Sequence, residues 1–394
     1  MKHQSPNLPI VVFSLSAAVL LHAVTASACS AVIVGKKASA TGYVLVAHNN
    51  DGALTLHMRY AMVPARDGTQ AYFWCECKNP KGGITPGDTM LNASGVIVAS
   101  NNGGWNKSWC GRQGSLPDEG WFSELAGGSG IGYELRRTVA ERAHTAREGL
   151  AIATNLLTVS GYCQPSRNFV IADRDEAWVL EVVKGRRFVA RRCPDDAVVA
   201  YPNCMTISRI EPGDVVSGNI EARRRDFDFS AAYQGPRTWK SPYNFFRLKH
   251  LYRLVCGAEP PMDGPCPFSM KPLRPVTPQM VRDALCSHYE GTPDAVTPHP
   301  DKELEVAESS RAPICRSSTL ESFVCTFTVK PEDTEFAIAV GRPCETPYAS
   351  YRPLSGTLPT NAVTGDAALR RMAGRDLPLS PPSRAGGVSG NGPL

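Results

Sequence analysis

Ala26-Ser27-Ala28-Cys29-Ser30-Ala31-Val32-Ile33-Val34-Gly35 is the stretch on which the reading of this chain turns. Upstream of it, Lys2 precedes an uncharged apolar run from Leu8 to Leu21. A basic start, an apolar middle and a small-x-small end form the order of a secretory signal peptide, here residues 1–28. The run is shorter than the roughly 20 apolar residues that cross a bilayer, so no stable membrane span is expected after signal removal. The expected destination is the extracellular space or the lumen of the secretory or lysosomal pathway, or the periplasm of a bacterium. Cleavage after Ala28 makes Cys29 the first residue, with a thiol and an α-amine on the same carbon. Those groups titrate at about 8.5 and about 7.7–8.0, so the amine can serve as general base for its own side chain. Two plainer readings of Cys29 stay open at this point, a disulfide partner and a lipidated cysteine. The second is disfavoured because Ala26 stands where such signals place Leu.

Moving outward, the 394 residues hold thirteen cysteines, and none lies in the signal. Setting Cys29 aside leaves twelve, an even number that allows up to six bridges in an oxidising compartment. The Cys75-x-Cys77 pair has the wrong spacing for zinc and reads as disulfide material. A net charge of +5 is too small a surplus to call for a nucleic-acid partner. Walker, Rossmann, Gly-x-Ser-x-Gly and His-Glu-x-x-His signatures are absent, so neither a cofactor nor a metal is expected.

Ala31–Val34 and Tyr43–Ala47 predict an N-terminal hairpin that buries the chain start. Further strands are expected at Val96–Ala99, Phe169–Ala172, Trp178–Val183, Phe188–Arg191, Ser322–Thr328 and Phe336–Val340. Thr145-Ala146-Arg147-Glu148 is a capping-box sequence, which splits the intervening helical region into helices over about 131–143 and 146–159. Residues 212–310 are rich in Pro and Arg, with helices expected at Tyr243–Val255 and Pro278–Ser287. A C-terminal tail is expected over 351–394. Eleven of the nineteen residues from Asp376 are Pro, Gly or Ser, which predicts disorder there. Strands, then helices, then strands give an α+β, layered class with no doubly wound period.

The segment from Cys29 to Gly42, followed by Ala47-His48-Asn49-Asn50-Asp51, resembles the start of the C69 dipeptidase family of N-terminal-nucleophile hydrolases. The likeness continues in Gly132-Tyr133-Glu134-Leu135 to Glu148 and is strongest from Ile171-Ala172-Asp173 to Glu181. Ala312-Pro313-Ile314-Cys315 and Ala339-Val340-Gly341-Arg342-Pro343-Cys344 look like the family's last core strands. The resemblance covers most of 29–205 and parts of 311–351. It implies a four-layer αββα sandwich, here over residues 29–350, with the nucleophile at the start of a central strand.

It also implies roles. Asp51 matches an acidic residue that orients the cationic amine; read alone, it is a turn residue before Gly52. His48 stands where many members carry an Arg facing the substrate carboxylate, and is therefore the substrate-binding candidate. Asn92, in Leu91-Asn92-Ala93-Ser94-Gly95-Val96, and Asn203, after Tyr201-Pro202, match oxyanion-hole positions, although Ala93 replaces a family Glu. An active-site Asn92 leaves Asn106-Lys107-Ser108 as the glycan sequon. Arg247, four residues after Tyr243, is a further group that could face substrate. The expected function is hydrolysis of a dipeptide, or another small amide, through a Cys29 thioester. The rivals are an acylase on non-peptide amides and an inactive disulfide-rich ectodomain. Oligomeric state is not legible.

Overall fold

The computed structural model describes residues 29–52, 57–78, 89–104, 130–218, 220, 227–234, 238–299 and 311–373. The signal segment, Cys110, the Asn106 sequon and the tail expected to be disordered lie outside the described residues. In chain order come β1 (Ser30–Val34), β2 (Leu45–Asp51), β3 (His57–Val63), β4 (Tyr72–Lys78), β5 (Thr89–Asn92) and β6 (Ile97–Asn101). Helices α1 (Glu134–Arg142) and α2 (Ala146–Ser160) follow, then β7 (Tyr162–Ala172), β8 (Ala177–Gly185), β9 (Arg187–Arg192), β10 (Val198–Tyr201) and β11 (Val215–Val216). The last third holds α3 (Phe229–Tyr233), α4 (Pro242–Cys256), α5 (Pro278–Leu285), β12 (Thr319–Thr326), β13 (Glu335–Val340), β14 (Ala349–Tyr351), β15 (Ala362–Thr364) and α6 (Gly365–Ala373).

Two sheets result, ordered β10-β1-β2-β12-β13-β14 and β11-β9-β8-β7-β6-β5-β4-β3-β15. Strand alternation sends each second side chain to the opposite face. Ala31, Ile33 and Val46 of the first sheet therefore meet Leu91, Ile97, Ala99, Val170 and Val179 of the second in an inter-sheet core. Val32, Val34, Leu45 and Ala47 point the other way, onto Leu248, Leu251 and Val255 of α4 and Val281 of α5. Trp74, Val98, Phe169 and Ile171 point outward from the second sheet, onto Leu135 and Val139 of α1 and Leu150 and Ala153 of α2. Three apolar layers between four structural layers make an αββα sandwich. The expected class is what the fold shows.

The α1–α2 boundary sits where the capping box placed it. Thr145 Oγ1 accepts from the Glu148 amide at 3.1 Å, and the Glu148 carboxylate accepts from the His144 amide at 2.9 Å. Residues beyond 350 do not form a mere tail. Strand β15 pairs in parallel with β3, and Ala368 of α6 is buried in the outer core, so the fold extends through Ala373.

The six bridges expected from the cysteine count are not seen. Cys163, Cys193, Cys204, Cys256, Cys266, Cys286, Cys315, Cys325 and Cys344 all stand as thiols. Several are spread over different layers: Cys193 and Cys325 belong to the inter-sheet core, whereas Cys256 ends α4 and packs with Cys204 and Cys266 in the core between that helix and the first sheet. No helix among the described residues is long and apolar enough to cross a membrane.

Candidate active site

Cys29 immediately precedes β1 and is fully buried. Its position in the alternation is that of Ala31 and Ile33, so it belongs to the inter-sheet face. Strand β1 lies between β10 and β2, in the interior of its sheet. The cysteine is therefore set where two sheets and the first turns of α4 converge.

Helix α4 supplies the polar wall. Its buried face reads Tyr243, Asn244, Arg247, Leu248, Leu251, Tyr252 and Val255 at helical spacing. Tyr243, Asn244 and Arg247, in the first two turns, lie at the Cys29 end, and buried His250 one turn on pairs instead with Asp294. Arg247 is fully buried and donates from one terminal nitrogen to the Cys29 carbonyl at 2.8 Å and to Asn203 Oδ1 at 3.1 Å. Its other terminal nitrogen donates to Asn244 Oδ1 at 2.9 Å, and its Nε to the Tyr243 carbonyl at 2.9 Å. Asn244 Nδ2 in turn donates to the Asn203 carbonyl at 3.3 Å. Burial disfavours the charge and lowers the Arg247 pKa, with Tyr243, Tyr289 and Asp51 acting the other way.

The consequence for Asn203 is orientation. With Oδ1 held by Arg247, its Nδ2 faces Asn102, whose carbonyl accepts at 3.2 Å. That bond uses one of the two Nδ2 hydrogens.

Asp51 ends β2 and is buried. A bulge in β12 between Thr319 and Glu321 turns Thr319 toward it, and Thr319 Oγ1 donates to Asp51 Oδ1 at 2.6 Å. Burial pushes the Asp51 carboxyl up to about 7, while Arg316, the Thr319 hydroxyl and Arg247 pull it back. Arg316 donates to the Tyr243 hydroxyl at 2.5 Å, and both Arg316 and Arg247 lie over the Tyr243 ring, at 5.1 and 4.5 Å. Tyr243 thus separates two like charges with its π face.

His48 is not a cationic substrate contact in this geometry. Its side chain lies on the inter-sheet face, buried against Phe323 with ring centroids 5.7 Å apart, and Nε2 donates to Asn101 Oδ1. Burial lowers its pKa to about 4, with the Arg136 and Arg167 charges adding to the effect, so the ring is neutral near pH 7.

Asn92 is not brought to Cys29. Its Nδ2 donates to the carbonyls of Ala140 and Ala143 at 2.9 and 2.7 Å, and Oδ1 accepts from the Ser94 and Val96 amides at 3.1 and 2.9 Å. It ties the β5–β6 turn to the last turn of α1, where helix carbonyls need donors. From there β6 runs about 17 Å to Asn101, taking about 3.4 Å per residue. Asn101 is the asparagine that arrives: it accepts from His48 and donates to the Tyr201 carbonyl at 3.5 Å.

Two buried arginines went unread in the sequence, whereas Arg247 was singled out there. Beside Arg247, both Arg136 and Arg167 are buried and donate to Ser100 Oγ. Arg167 also donates to Tyr162 OH at 3.2 Å and Gln164 Oε1 at 3.1 Å, which are neutral acceptors. Cys29 is among the groups that raise its pKa against the desolvation of burial, which places this guanidinium within electrostatic reach of the nucleophile candidate. The loop after β6 passes close by: a Cβ on Gly103 would lie 2.7 Å from Asn168 Oδ1, so any larger residue would have to displace that amide.

The model of peptidase family C69 matches residues 124–339, more than half of the chain. The chain belongs to peptidase family C69. The matched span includes Asn203 and Arg247 and begins after Cys29, His48, Asp51 and Asn92. Probable dipeptidase B of Lactococcus lactis subsp. lactis (strain IL1403) is 26% identical over 310 residues, covering 67% of this chain and 61% of that protein. The dipeptidase of Bifidobacterium longum (strain NCC 2705) is 24% identical over 331 residues, covering 68% and 60%. This C69 member therefore spans about three fifths of the length of those curated relatives. Among solved structures, a mutant of the conjugated bile acid hydrolase from Clostridium perfringens overlaps 85% of this chain and 98% of its own, at 9% identity and a TM-score of 0.33.

Proposed function

We propose that this C69 member is a secreted or lumenal dipeptidase whose nucleophile is Cys29, exposed as the mature N-terminus by removal of residues 1–28. The observation that carries the reading is the Arg247 fork, which holds the Cys29 carbonyl and Asn203 Oδ1 from one nitrogen. One guanidinium thereby fixes a buried cysteine and a candidate oxyanion donor relative to each other. The names of the relatives support dipeptide substrates.

The chemistry then runs on groups already in place. The Cys29 α-amine, freed by cleavage, takes the thiol proton, and the sulfur attacks the amide carbon. Asn203 Nδ2 donates to the oxyanion, and the ammonium returns the proton to the departing amine. Water, activated by the same amine, clears the thioester. Asp51, with Thr319 holding one oxygen, would orient the ammonium, whose charge would draw its carboxyl back toward ionisation. Arg167, whose acceptors are neutral, suits the carboxylate of a dipeptide.

Export into an oxidising lumen remains part of the reading. Bridges there would have to form from cysteines that stand as thiols in this structure. The test is a substrate panel run on processed protein, with dipeptides set against acyl amides that lack a carboxylate. Preferential cleavage of dipeptides supports the reading; preferential cleavage of acyl amides would make it an acylase.

A further inference from the structure

A second cluster of reactive side chains lies away from Cys29. His288 and His299 lie in the segment after α5, Cys315 precedes β12 and Cys344 follows β13. Their ligand atoms all lie within 4.8 Å of one another. We propose that these four residues form a tetrahedral structural zinc site, a role independent of the hydrolase reading.

The geometry is that of a metal shell. Zinc bonds of about 2.0–2.1 Å to nitrogen and about 2.3 Å to sulfur give tetrahedron edges of about 3.3 Å for N···N, 3.6 Å for N···S and 3.8 Å for S···S. Here His288 Nε2 and His299 Nε2 are 3.3 Å apart. His299 Nε2 lies 3.0 Å from Cys344 Sγ and 3.7 Å from Cys315 Sγ, and the two sulfurs are 3.4 Å apart. A disulfide would need about 2.05 Å between those sulfurs. Two histidines and two cysteines at these spacings are the donor set that selects zinc over harder cations.

The surroundings prepare the ligands. The Glu290 carboxylate accepts from His288 Nδ1 at 2.9 Å, which fixes the tautomer and leaves the Nε2 lone pair facing the cluster. Both imidazoles are nearly buried, at 3% and 6% side-chain exposure, whereas Cys344 is exposed and opens a route for the ion. Binding would release the two thiol protons and add to the links already made around the cluster, such as the Cys286 thiol on the Pro343 carbonyl at 3.2 Å. One such link bears on the fold of the active site: Asn49 Nδ2 in β2 donates to the Leu285 and Ile314 carbonyls at 2.9 Å each, beside the cluster.

The experiment uses full-length and processed protein purified under reducing conditions, with zinc measured by elemental mass spectrometry and Co²⁺ as an optical probe. The expected result is one zinc per chain. Co²⁺ should give the intense visible bands of a tetrahedral site together with thiolate-to-cobalt charge transfer. Cys344→Ser, at an exposed position, should weaken metal binding at least about tenfold while circular dichroism stays unchanged, and His299→Ala should do the same. Unchanged stoichiometry and affinity in both variants would overturn the proposal. So would a non-reducing peptide map of natively expressed protein showing Cys315 bridged to Cys344 with no zinc bound.

Discussion

The two ends of the inner sandwich each carry a buried asparagine, and the two do different things. At the Cys29 end, Arg247 holds Asn203 through its oxygen, and its nitrogen meets a single carbonyl across a loop. At the other end, Asn92 is saturated, its nitrogen on two helix carbonyls and its oxygen on two amides. Residue type and burial are the same. Donors left for a ligand are not, and that difference separates the proposed oxyanion donor from a cap.

The largest expected effect lies on the nucleophile itself. Cys29→Ala should lower amide hydrolysis by about 10³-fold or more while leaving the fold intact, and Cys29→Ser should keep no more than a trace. Rates near wild type in Cys29→Ala, measured on processed protein, would dissolve the distinction between the two ends.

The asparagines give the sharpest contrast. Asn203→Ala should reduce kcat of the folded enzyme by about 10²–10³-fold, over and above any stability lost by taking an acceptor from buried Arg247. Asn92→Ala should destabilise by about 1–3 kcal/mol, because it strands buried backbone groups, with kcat of the folded enzyme unchanged. Paired denaturant titrations and kinetics check both, and the reverse pattern would mean the assignments are swapped.

A smaller change is expected at Arg167. Arg167→Gln should raise KM for dipeptides about tenfold, the size of one charged hydrogen bond, and leave acyl amides lacking a carboxylate unaffected. An equal loss on both substrate kinds would reduce Arg167 to packing.

The smallest effect is on the pH dependence of stability. Asp51 titrates at about 7 in the folded protein against 3.8 when free, so the fold holds a proton that the unfolded chain has released. Its contribution is complete below about 4 and is lost as pH rises to about 7. His48 has the opposite sign, with a folded value of about 4 against 6.5. Its contribution is present above 6.5 and lost as pH falls through 4. In the unprocessed chain, where no Cys29 ammonium draws the carboxyl toward ionisation, Asp51→Asn removes only the first slope, so stability relative to wild type should shift steadily between pH 4 and 7 and stay constant above. Parallel profiles would show that the two carboxyl states do not differ on folding.

Much of the frame was legible. The β1–β2 hairpin, the α1–α2 break at Thr145 and α4 all announce themselves, because each carries a local signal that packing does not override. Strands β3, β4 and β5 do not. In Tyr72-Phe73-Trp74-Cys75-Glu76-Cys77 both faces are buried, one by the other sheet and one by helices, so polar–apolar alternation is missing. The site was half legible for a related reason. Cys29, Asp51 and Asn203 are marked by position and neighbours. Arg136 and Arg167 look like surface charge until the layers close over them. Asn101, inside Asn101-Asn102-Gly103-Gly104, reads as a turn although it ends a strand. The apolar run of an interior strand hides such a residue, and only the register with Asn168 reveals its place.

The most direct measurement is the N-terminal residue and intact mass of the protein isolated from the cells that make it, taken on the fraction that carries activity. The account predicts a chain beginning at Cys29, with its α-amine unblocked and no acyl group. Active protein that begins at any other residue, or that carries a blocked amine, would remove the general base and contradict the mechanism.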